Sequence, residues 1–450
     1  MNSGWKSLRR LVLLVAAVAS LSILVAACGD DDSGDTTVAD TGDTTATDGG
    51  DTAGSVCGLG NGEAASGEPI KLGGIATKQP GTDFSEIPRT AEAYFKCVND
   101  NGGINGRPIE YSIETEQTDP GQAANAAVKL VEDFGALGIV GNTSLIECSV
   151  NQQYWEENGY YVIASGIAPE CYSTPNYASV NMGPRYSSDG ATQYVIGQGV
   201  DKVVFDQSNV PGTEYNAAGP QLVAEDAGLP FEALTENVPI EDANSIALKL
   251  VQAAGENGGV VLNFTPPEAL KILQAAQQQG LADRVGAWGC STPCNTDFLA
   301  DALGSEWNDK LNVNAELNVT DFEGPDSTLY RQVIADYAPD IPLGSFSQMG
   351  FLMGDFATRA LLSIEGDDYS AESVNEAFLN AENYETDILC NPWYFGADAP
   401  LHLPNNVDWT TTPQDGVMVI KEDCFDISAV EPDVAKVREI EAANPALIGG

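Results

Sequence analysis

Two short loops of small polar residues stand where hydrogen bonds to a small molecule could be made. The segment Asn142–Ser144 follows the apolar run Leu137–Val140, and Ser165-Gly166 follows the apolar run Tyr160–Ala164. Hydroxyl, amide and backbone N–H groups of this kind bind a polar solute without reacting with it. In an open parallel sheet, ligands bind at the carboxyl ends of the strands. An ordinary turn is the alternative for one such loop, but the recurrence of the pattern along the chain favours a binding site.

The sequence lacks the residue patterns on which most enzymes depend. It has a single histidine, His402, and neither a Gly-x-Ser-x-Gly elbow nor a Gly-x-x-x-x-Gly-Lys phosphate loop. His402 stands in a strand-like Leu-His-Leu-Pro context, and we interpret it as structural. With 66 acidic residues in the chain, neighbouring carboxylates arise by chance and mostly belong to a solvated surface. We therefore expect a binding protein with no catalytic residues, no metal and no cofactor.

Length and composition limit the partners of this chain. Its 450 residues suffice for two domains with their own cores, and a hydrophobic content of 43% is that of a globular protein. The balance of 66 acidic against 20 basic residues gives a net charge of −46. A surface so acidic argues against nucleic acid as a partner and against peripheral attachment to anionic lipid.

The N-terminal segment has the pattern of an export signal. Lys6, Arg9 and Arg10 precede the apolar stretch Leu11–Ala26, which ends in small residues before Cys28. This ending resembles the lipobox of bacterial lipoproteins, in which the cysteine becomes the lipidated first residue. The alternatives are a plain signal peptide or a membrane anchor, and the apolar stretch is short for a membrane span.

We therefore predict a lipoprotein signal peptide at residues 1–27, followed by the lipidated Cys28 and a tether up to residue 67. Residues 29–55 contain only Gly, Asp, Thr, Ser, Ala and one Val. Such a composition buries too little apolar surface to fold, and its aspartates repel one another and extend it. The expected location is the outer face of the cytoplasmic membrane, with the folded part held away from the lipid.

Apart from Cys28, the sequence contains eight cysteines, an even number that indicates disulfides in an exported protein. Eight cysteines allow 105 pairings. Local spacing favours Cys148–Cys171, Cys290–Cys294 and Cys390–Cys424, which leaves Cys57 with Cys97. Half of a zinc site is the alternative for Cys290 and Cys294, but the sequence offers no second half.

Strand and helix patterns alternate through most of the chain. Apolar positions at Ala91, Tyr94, Phe95 and Val98 predict a helix over 87–101, and Asp119-Pro120 has the pattern of a helix start. Further strands are predicted at 70–75, 109–113, 203–205, 231–238, 259–264 and 285–288, and further helices at 215–227, 243–254 and 267–279. The remainder is mostly helical (327–337, 348–363, 371–379) and ends in a strand-rich segment, 387–427. This alternation, interrupted near 181–185, predicts an α/β protein with two doubly wound parallel-sheet lobes.

Several motifs are similar to those of one protein family. They are Asn101–Arg107, Gln117–Pro120, Gly141–Ser144 and Arg185–Gly190, together with Cys148 and Cys171. On these motifs the chain, from Pro69 to Ile427, resembles the leucine/isoleucine/valine-binding family of type I periplasmic binding proteins. The turn Asn101–Arg107 is the most specific of them, and the resemblance adds that Cys148 and Cys171 form a disulfide of the first lobe.

The resemblance implies two lobes joined by three crossovers, with a small-molecule ligand buried between them. We expect the first lobe at residues 68–185 and 322–394, the second at 190–318 and 400–430, and a C-terminal tail at 431–450. The crossovers are expected near Pro184, near Val319 and at 396–404. Lobes joined in this way can close like a hinge on a ligand. The resemblance further implies a monomer that delivers its ligand to an ABC transporter permease.

The resemblance also implies the residues that contact the ligand. They are Thr77, Asn142, Thr143, Ser144, Ser165, Gly166, Ile167, Val210, Thr265, Ser291 and Phe346. Three positions depart from the pattern of an amino-acid binder. Ile167 replaces a frequent threonine, Val210-Pro211-Gly212 replaces a Tyr-Gly pair, and the loop Gly289–Ser291 stands where an acidic residue often pairs with the ligand's ammonium group.

The missing acid matters because a buried ammonium group without a charged partner is costly. Asp206 and Glu268 are the candidate replacements. We expect the second lobe to be less polar than in an amino-acid binder, and the solute to be an amino acid or a related amide or carboxylate. A ligand-sensing surface receptor with the same fold and an exported hydrolase are the alternative functions.

Overall fold

The computed structural model describes residues 56–396, 401–403 and 405–449. The predicted signal peptide, Cys28 and the tether up to residue 55 lie outside these residues, as does part of the third expected crossover. Within the described residues, no helix combines the length and the apolar character that crossing a membrane requires.

The first lobe is built around a sheet whose strands are parallel except for the short hairpin strand β2. Its strands are β1 (Ile70–Gln79), β2 (Thr82–Asp83), β3 (Ile109–Glu116), β4 (Gly138–Asn142), β5 (Val162–Ala164) and β6 (Tyr177–Ser179). Its first helices are α1 (Glu86–Asp100), α2 (Pro120–Val128), α3 (Glu147–Asn158) and α4 (Glu170–Ser173). The strand order is β3-β1-β4-β5-β6, with β2 antiparallel to the end of β1.

The second lobe begins with α5 and contains the second sheet. Its elements are α5 (Gly183–Gly197), β7 (Val203–Ser208), α6 (Ala218–Asp226), β8 (Phe231–Glu236), α7 (Ala243–Ala254), β9 (Gly259–Asn263), α8 (Pro266–Gln278), β10 (Ala287–Cys290), α9 (Asp297–Leu303) and β11 (Leu311–Ala315). The chain then forms α10 (Pro325–Tyr337), α11 (Ser345–Leu362), α12 (Ala371–Leu379), β12 (Val407–Gln414), β13 (Val417–Asp426) and α13 (Pro432–Ala443).

The second sheet is mixed rather than wholly parallel. Its order is β13-β12-β11-β10-β9-β7-β8, and β12 and β13 join it in antiparallel fashion. Helices α10 and α11 return to the first lobe, where α11 packs against α1 and shares its core. The chain therefore passes between the sheets three times, and the predicted fold class is confirmed.

Local sequence explains where these elements begin and which faces they bury. The carboxylate of Asp119 accepts a hydrogen bond from the backbone N–H of Gln122, and Pro120 opens α2. Helix α1 buries Ala91, Tyr94 and Phe95 along one face. Because β1 lies between two neighbouring strands and under helices, seven of its ten residues are buried.

The segment 431–450, which the sequence analysis treats as a tail, contains a packed helix. Val434 and Val437 of α13 are fully buried in a core that includes residues of the first lobe. Glu431, just before the helix, forms an ion pair with Arg185 at 2.8 Å, and the Tyr186 hydroxyl donates a hydrogen bond to Asp433. The C-terminus thus lies against the start of α5, beside the first crossover.

Eight cysteines are joined in the four pairs that local spacing favours. The disulfides are Cys57–Cys97, Cys148–Cys171, Cys290–Cys294 and Cys390–Cys424. Cys290 and Cys294 therefore do not form half of a zinc site. Their loop carries Thr292 and Pro293 at the edge of the cavity described below.

Candidate functional site

A cavity of about 80 Å³ lies between the carboxyl ends of the strands of the two sheets. Both lobes contribute to its wall. The first lobe supplies Thr82, Phe84, Ile87, Thr143, Leu145, Ser165, Gly166, Ile167, Asn181, Phe346 and Met349. The second lobe and the segments that lead into it supply Gly183, Pro184, Ser187, Ser208, Val210, Thr213, Asn216, Asn263, Phe264, Thr265, Thr292, Pro293 and Glu316.

Thr143 lines this cavity and carries a hydroxyl group without a hydrogen-bond partner among the described residues. Its backbone is fixed, because its N–H donates to the carbonyl of Ile75 at 2.8 Å and its own carbonyl accepts from the N–H of Thr77 at 3.1 Å. Its Oγ1 is buried and has no hydrogen-bond partner among the described residues. A buried polar atom without a partner carries a desolvation penalty that a ligand can relieve.

Three neighbouring residues of the predicted site lie behind the cavity wall. The hydroxyl groups of Thr77 and Ser144 both donate to the carboxylate of Glu116, the latter at 2.9 Å. The side-chain oxygen of Asn142 accepts a hydrogen bond from the N–H of Ile75 at 2.8 Å. These side chains shape the loop after β4, and none of the three is among the residues that line the cavity.

The second predicted loop lies on the cavity wall as expected. Ser165 directs its hydroxyl towards the sulfur of Met349 at 3.2 Å. The N–H of Gly166 donates to the side chain of Asn181 at 2.7 Å, which fixes the loop. Ile167 adds an apolar surface beside them.

Aromatic and aliphatic side chains form much of the remaining wall. Phe346, expected as an aromatic wall, stands edge-to-face against Phe84, with ring centroids 5.7 Å apart and planes at 82°. Ile87 and Leu145 extend this surface in the first lobe, and Val210 faces it from the second. The wall thus combines apolar side chains with small polar ones, a mixture that small-molecule sites use to hold and orient a ligand.

The second lobe contributes several polar side chains to the region of the cavity. Asn216 is 1% exposed, and its Oδ1 has no partner within the described part of the chain. Thr265 donates across the cleft to the carbonyl of Gly81 at 3.4 Å. Ser291, in contrast, lies behind the wall, where its hydroxyl donates to Asn263 at 3.0 Å.

Glu316 is an acidic residue of the cavity wall that the sequence patterns do not single out. It directly follows β11, lines the cavity and is 1% exposed. Its Oε2 accepts a hydrogen bond from the N–H of Met182 at 3.0 Å. Burial, followed by the charge of Asp408, raises the pKa of Glu316 well above its usual value. The buried run Leu311–Ala315 ending in an acid was the signal that could have identified it.

Neither candidate replacement acid lies on the cavity wall. Asp206 is buried in β7, where desolvation raises its pKa to about 7. The carboxylate of Glu268 accepts from the N–H of Ile240 at 2.7 Å and pairs with Lys271. Both are structural acids of the second lobe.

Within the residues that the structure describes, no group of three His, Cys, Asp or Glu side chains is placed to hold a metal ion. His402 is fully buried with its ring nitrogens against the carbonyl oxygens of Tyr177 and Gly396. The fold and this interlobe cavity define a two-lobed protein that binds a small molecule.

Comparison with known proteins identifies the family. The family model described as periplasmic binding protein matches residues 69–406, so the chain belongs to this family. The similar proteins described next are solute-binding proteins rather than enzymes. The Leu/Ile/Val-binding protein homolog 1 of Brucella suis is 28% identical over 220 residues, which cover 46% of this chain and 57% of that protein. The chain therefore matches little more than half the length of this relative.

Solved structures share the fold over most of the chain. A fatty acid ABC transporter substrate-binding protein from Thermomonospora curvata has a TM-score of 0.67 and 19% identity, covering 83% of this chain and 96% of its own. A branched chain amino acid ABC transporter protein from Thermus thermophilus with bound valine has a TM-score of 0.71 and 14% identity, covering 84% and 100%. These likenesses establish the two-lobed fold.

Proposed function

We propose that this chain is a lipid-anchored, extracytoplasmic solute-binding protein of an ABC transporter. It captures a small polar solute, an amino acid or a related amide or carboxylate, between its lobes and passes it to the permease. The observation that carries this proposal is an interlobe cavity lined by Thr143 and Asn216, whose buried Oγ1 and Oδ1 atoms lack partners among the described residues. A polar solute that supplies the missing hydrogen bonds stabilises the closed arrangement.

Contacts across the cleft support a capture mechanism by closure. The Tyr215 hydroxyl of the second lobe donates to the carbonyl of Ile167 in the first. Gly212 has a φ of 88°, and a Cβ atom there would collide with the carbonyl oxygen of Leu145 in the opposite lobe. Separating these contacts by a hinge movement of the two lobes would open the cavity to solvent.

The lobe boundaries expected from the sequence and the lipid anchor remain part of this proposal. Cys28→Ser should leave an unprocessed precursor or release the protein from the membrane, because the acylated thiol is lost. Mass spectrometry and membrane fractionation measure the two outcomes. An unchanged mature mass together with an unchanged membrane fraction would contradict lipidation.

The ligand is tested by thermal shift on the mature chain, from Cys28 onwards. A panel of amino acids, amides, carboxylates and sugars is screened, since a solute that binds only the folded state raises the melting temperature. Uptake of the best binder is then compared between cells with and without the gene. Binding without any uptake difference would favour the sensing receptor, and no binding to the whole panel would reject the proposal.

A further inference from the structure

One of the disulfides joins a segment packed in the first lobe to a strand of the second sheet. Cys390 stands between Leu389 and Trp393, which both belong to the hydrophobic core that includes α1 and α11. Cys424 lies in β13, the outermost strand of the second sheet. This disulfide is therefore a covalent connection between the lobes in addition to the passages of the backbone.

The segment that carries Cys390 is held to the first lobe by specific contacts. The indole N–H of Trp393 donates to the carbonyl of Ser179, in β6 of the first sheet, at 3.0 Å. The Trp393 ring also stacks on Phe356 of α11, with ring centroids 4.7 Å apart and planes at 11°. When the lobes separate, Cys390 therefore moves with the first lobe.

Strand β13 is held to the second lobe in the same way. It pairs antiparallel with β12, and β12 pairs with β11. Met418, near the start of β13, is buried in the second-lobe core, and its N–H donates to Asp297 of α9 at 3.0 Å. Cys424 therefore moves with the second lobe.

The disulfide restricts how the lobes can rotate. A disulfide keeps the Cα atoms of its two cysteines within about 4.4–6.8 Å of each other. It thus excludes every opening movement that would separate β13 from the segment carrying Cys390. The second crossover runs beside this segment, because the backbone N–H of Asn318 donates to the carbonyl of Ile388 at 3.1 Å. The axis of opening is therefore confined to this region of the molecule.

Solvent reaches this disulfide more easily than the other three. Cys424 is exposed and Cys390 is partly buried, whereas the six cysteines of the other disulfides are between 0% and 8% exposed. Thiol–disulfide exchange requires a thiolate to approach one of the two sulfur atoms. The disulfide between the lobes should therefore be reduced before the others.

We infer that the Cys390–Cys424 disulfide is a removable limit on the opening of the cleft. With the disulfide formed, the unliganded protein occupies a narrow range of open forms; with two free thiols, it opens more widely. In the reduction a dithiol forms its own disulfide, and its two electrons and two protons convert the protein disulfide into two thiols. The inference rests on the proposed function and adds control of ligand affinity to it. Affinity falls without the disulfide, because closing from a wider range of open forms is less favourable.

X-ray scattering of the unliganded mature chain tests the inference without any ligand. Cys390→Ala combined with Cys424→Ala removes the link between the lobes. We expect this variant to have a larger radius of gyration than the unmodified chain, because movements that separate β13 from the first lobe become possible.

Cys57→Ala combined with Cys97→Ala is the matched control. This disulfide joins two residues of the first-lobe core, and its sequence separation of 40 is close to the 34 of the pair between the lobes. Because the stabilisation by a disulfide changes only slowly with loop length, both variants should lose stability to a similar extent. The control should nevertheless keep the radius of gyration of the unmodified chain.

Chemical reduction of the unmodified chain keeps the test independent of whether the variants fold. Dithiothreitol is added in increasing amounts, free thiols are blocked with iodoacetamide, and mass spectrometry identifies the labelled cysteines. We expect Cys390 and Cys424 to be labelled first, and the chain labelled only there to have the larger radius of gyration. Calorimetric titration with valine should show an affinity about two- to tenfold lower than that of the oxidised chain.

The outcomes distinguish this inference from the proposed function. An unchanged radius of gyration after loss of the Cys390–Cys424 disulfide, or an equal increase in the control variant, would overturn the limit on opening. Labelling of other cysteines before this pair would overturn its selective removal, and equal valine affinity with and without the disulfide would overturn its effect on binding. If valine does not bind, scattering and labelling still decide the inference, while the solute panel decides the proposed function.

Discussion

The hydroxyl group of Tyr215 donates a hydrogen bond to the backbone carbonyl of Ile167, across the cleft between the two lobes. Burial raises the pKa of this phenol, so it remains a donor. The bond links the loop before α6 to the loop after β5, and Ile167 itself lines the cavity. Ile167 therefore both contacts the opposite lobe and forms part of the cavity wall.

We expect Tyr215→Phe to weaken ligand binding about two- to tenfold, the equivalent of one ordinary hydrogen bond. The bond exists only when the lobes are closed, so the variant should favour the open form. Calorimetry gives the affinity, and X-ray scattering of the unliganded protein gives its radius of gyration. Tyr154→Phe, on α3 of the first lobe and away from the cleft, is the control. Equal behaviour of the two variants would reject the role of Tyr215.

Thr143 and Ser144 are neighbours whose hydroxyl groups have different surroundings. Their variants should therefore differ, one in ligand affinity and the other in the free energy of unfolding. Thr143→Val removes a hydroxyl group that has no partner among the described residues; stability should hold while affinity falls by about 1–3 kcal/mol. Ser144→Ala removes a donor to Glu116 and an acceptor for two backbone N–H groups. It should lower the free energy of unfolding by about 1–3 kcal/mol. Denaturant titration and calorimetry measure the two effects.

If both variants lose affinity and stability together, the division of labour between these hydroxyl groups is wrong. The double variant should show the two effects combined with some deviation from additivity, because adjacent residues share the same loop. The comparison also decides whether the loop after β4 binds through its side chains or only through its backbone.

The positions of the cavity loops could be predicted from sequence, because each follows a recognisable apolar strand. Thr143, Ser165, Val210 and Thr265 all line the cavity on that basis. Phe346 was predicted through the family resemblance rather than through a strand pattern. Sequence patterns can thus predict which residues lie near the site, because strand ends can be located in the sequence and the carboxyl edge of a parallel sheet is one continuous surface.

The direction of each side chain could not be predicted in the same way. Thr77 and Ser144 turn to the carboxylate of Glu116, and only the folded sheet shows that this buried acid lies beside them. Glu316 and Asp408 become neighbours through the antiparallel addition of β12 to β11. That pairing joins distant parts of the chain, and its register is a property of the tertiary structure.

Stability should rise as the pH falls from 8 towards 5, and Asp206 allows one contribution to be isolated. Desolvation raises the pKa of this carboxyl group from 3.8 to about 7, so the folded protein holds a proton that the unfolded chain releases. The free energy of unfolding therefore falls as the pH rises from 3.8 to about 7, by at most about 4 kcal/mol from this group. The net charge of −46 acts in the same direction, so a variant comparison is needed.

Asp206→Asn should remove this pH dependence in part. Relative to the unmodified protein, the variant should gain about 2 kcal/mol or more between pH 5 and pH 8, because the amide does not ionise. Asp201→Asn, an exposed residue shortly before β7, serves as the control for the change in net charge. Chemical denaturation at several pH values measures the difference, and parallel curves for the two variants would contradict the assignment.

Phe346 separates the ligand cavity from a second, larger opening between the lobes, with a volume of about 450 Å³. The ring lines both spaces, together with Thr82 and Thr265. Lys78 and Arg89 belong to the outer space but not to the inner one. We therefore expect the aromatic pair of Phe346 with Phe84 to form the inner wall of the cavity and to limit the size of the solute.

Phe346→Ala should join the two spaces and change the selectivity of the site. A small solute such as valine should lose about tenfold in affinity, because it loses apolar contact and the exclusion of water, whereas phenylalanine should gain relative to it. Phe298→Ala is the matched control, since Phe298 lines only the outer space and is 45% exposed. Calorimetric affinities for both solutes give the ratio. A ratio that shifts equally in both variants would show that Phe346 does not limit solute size.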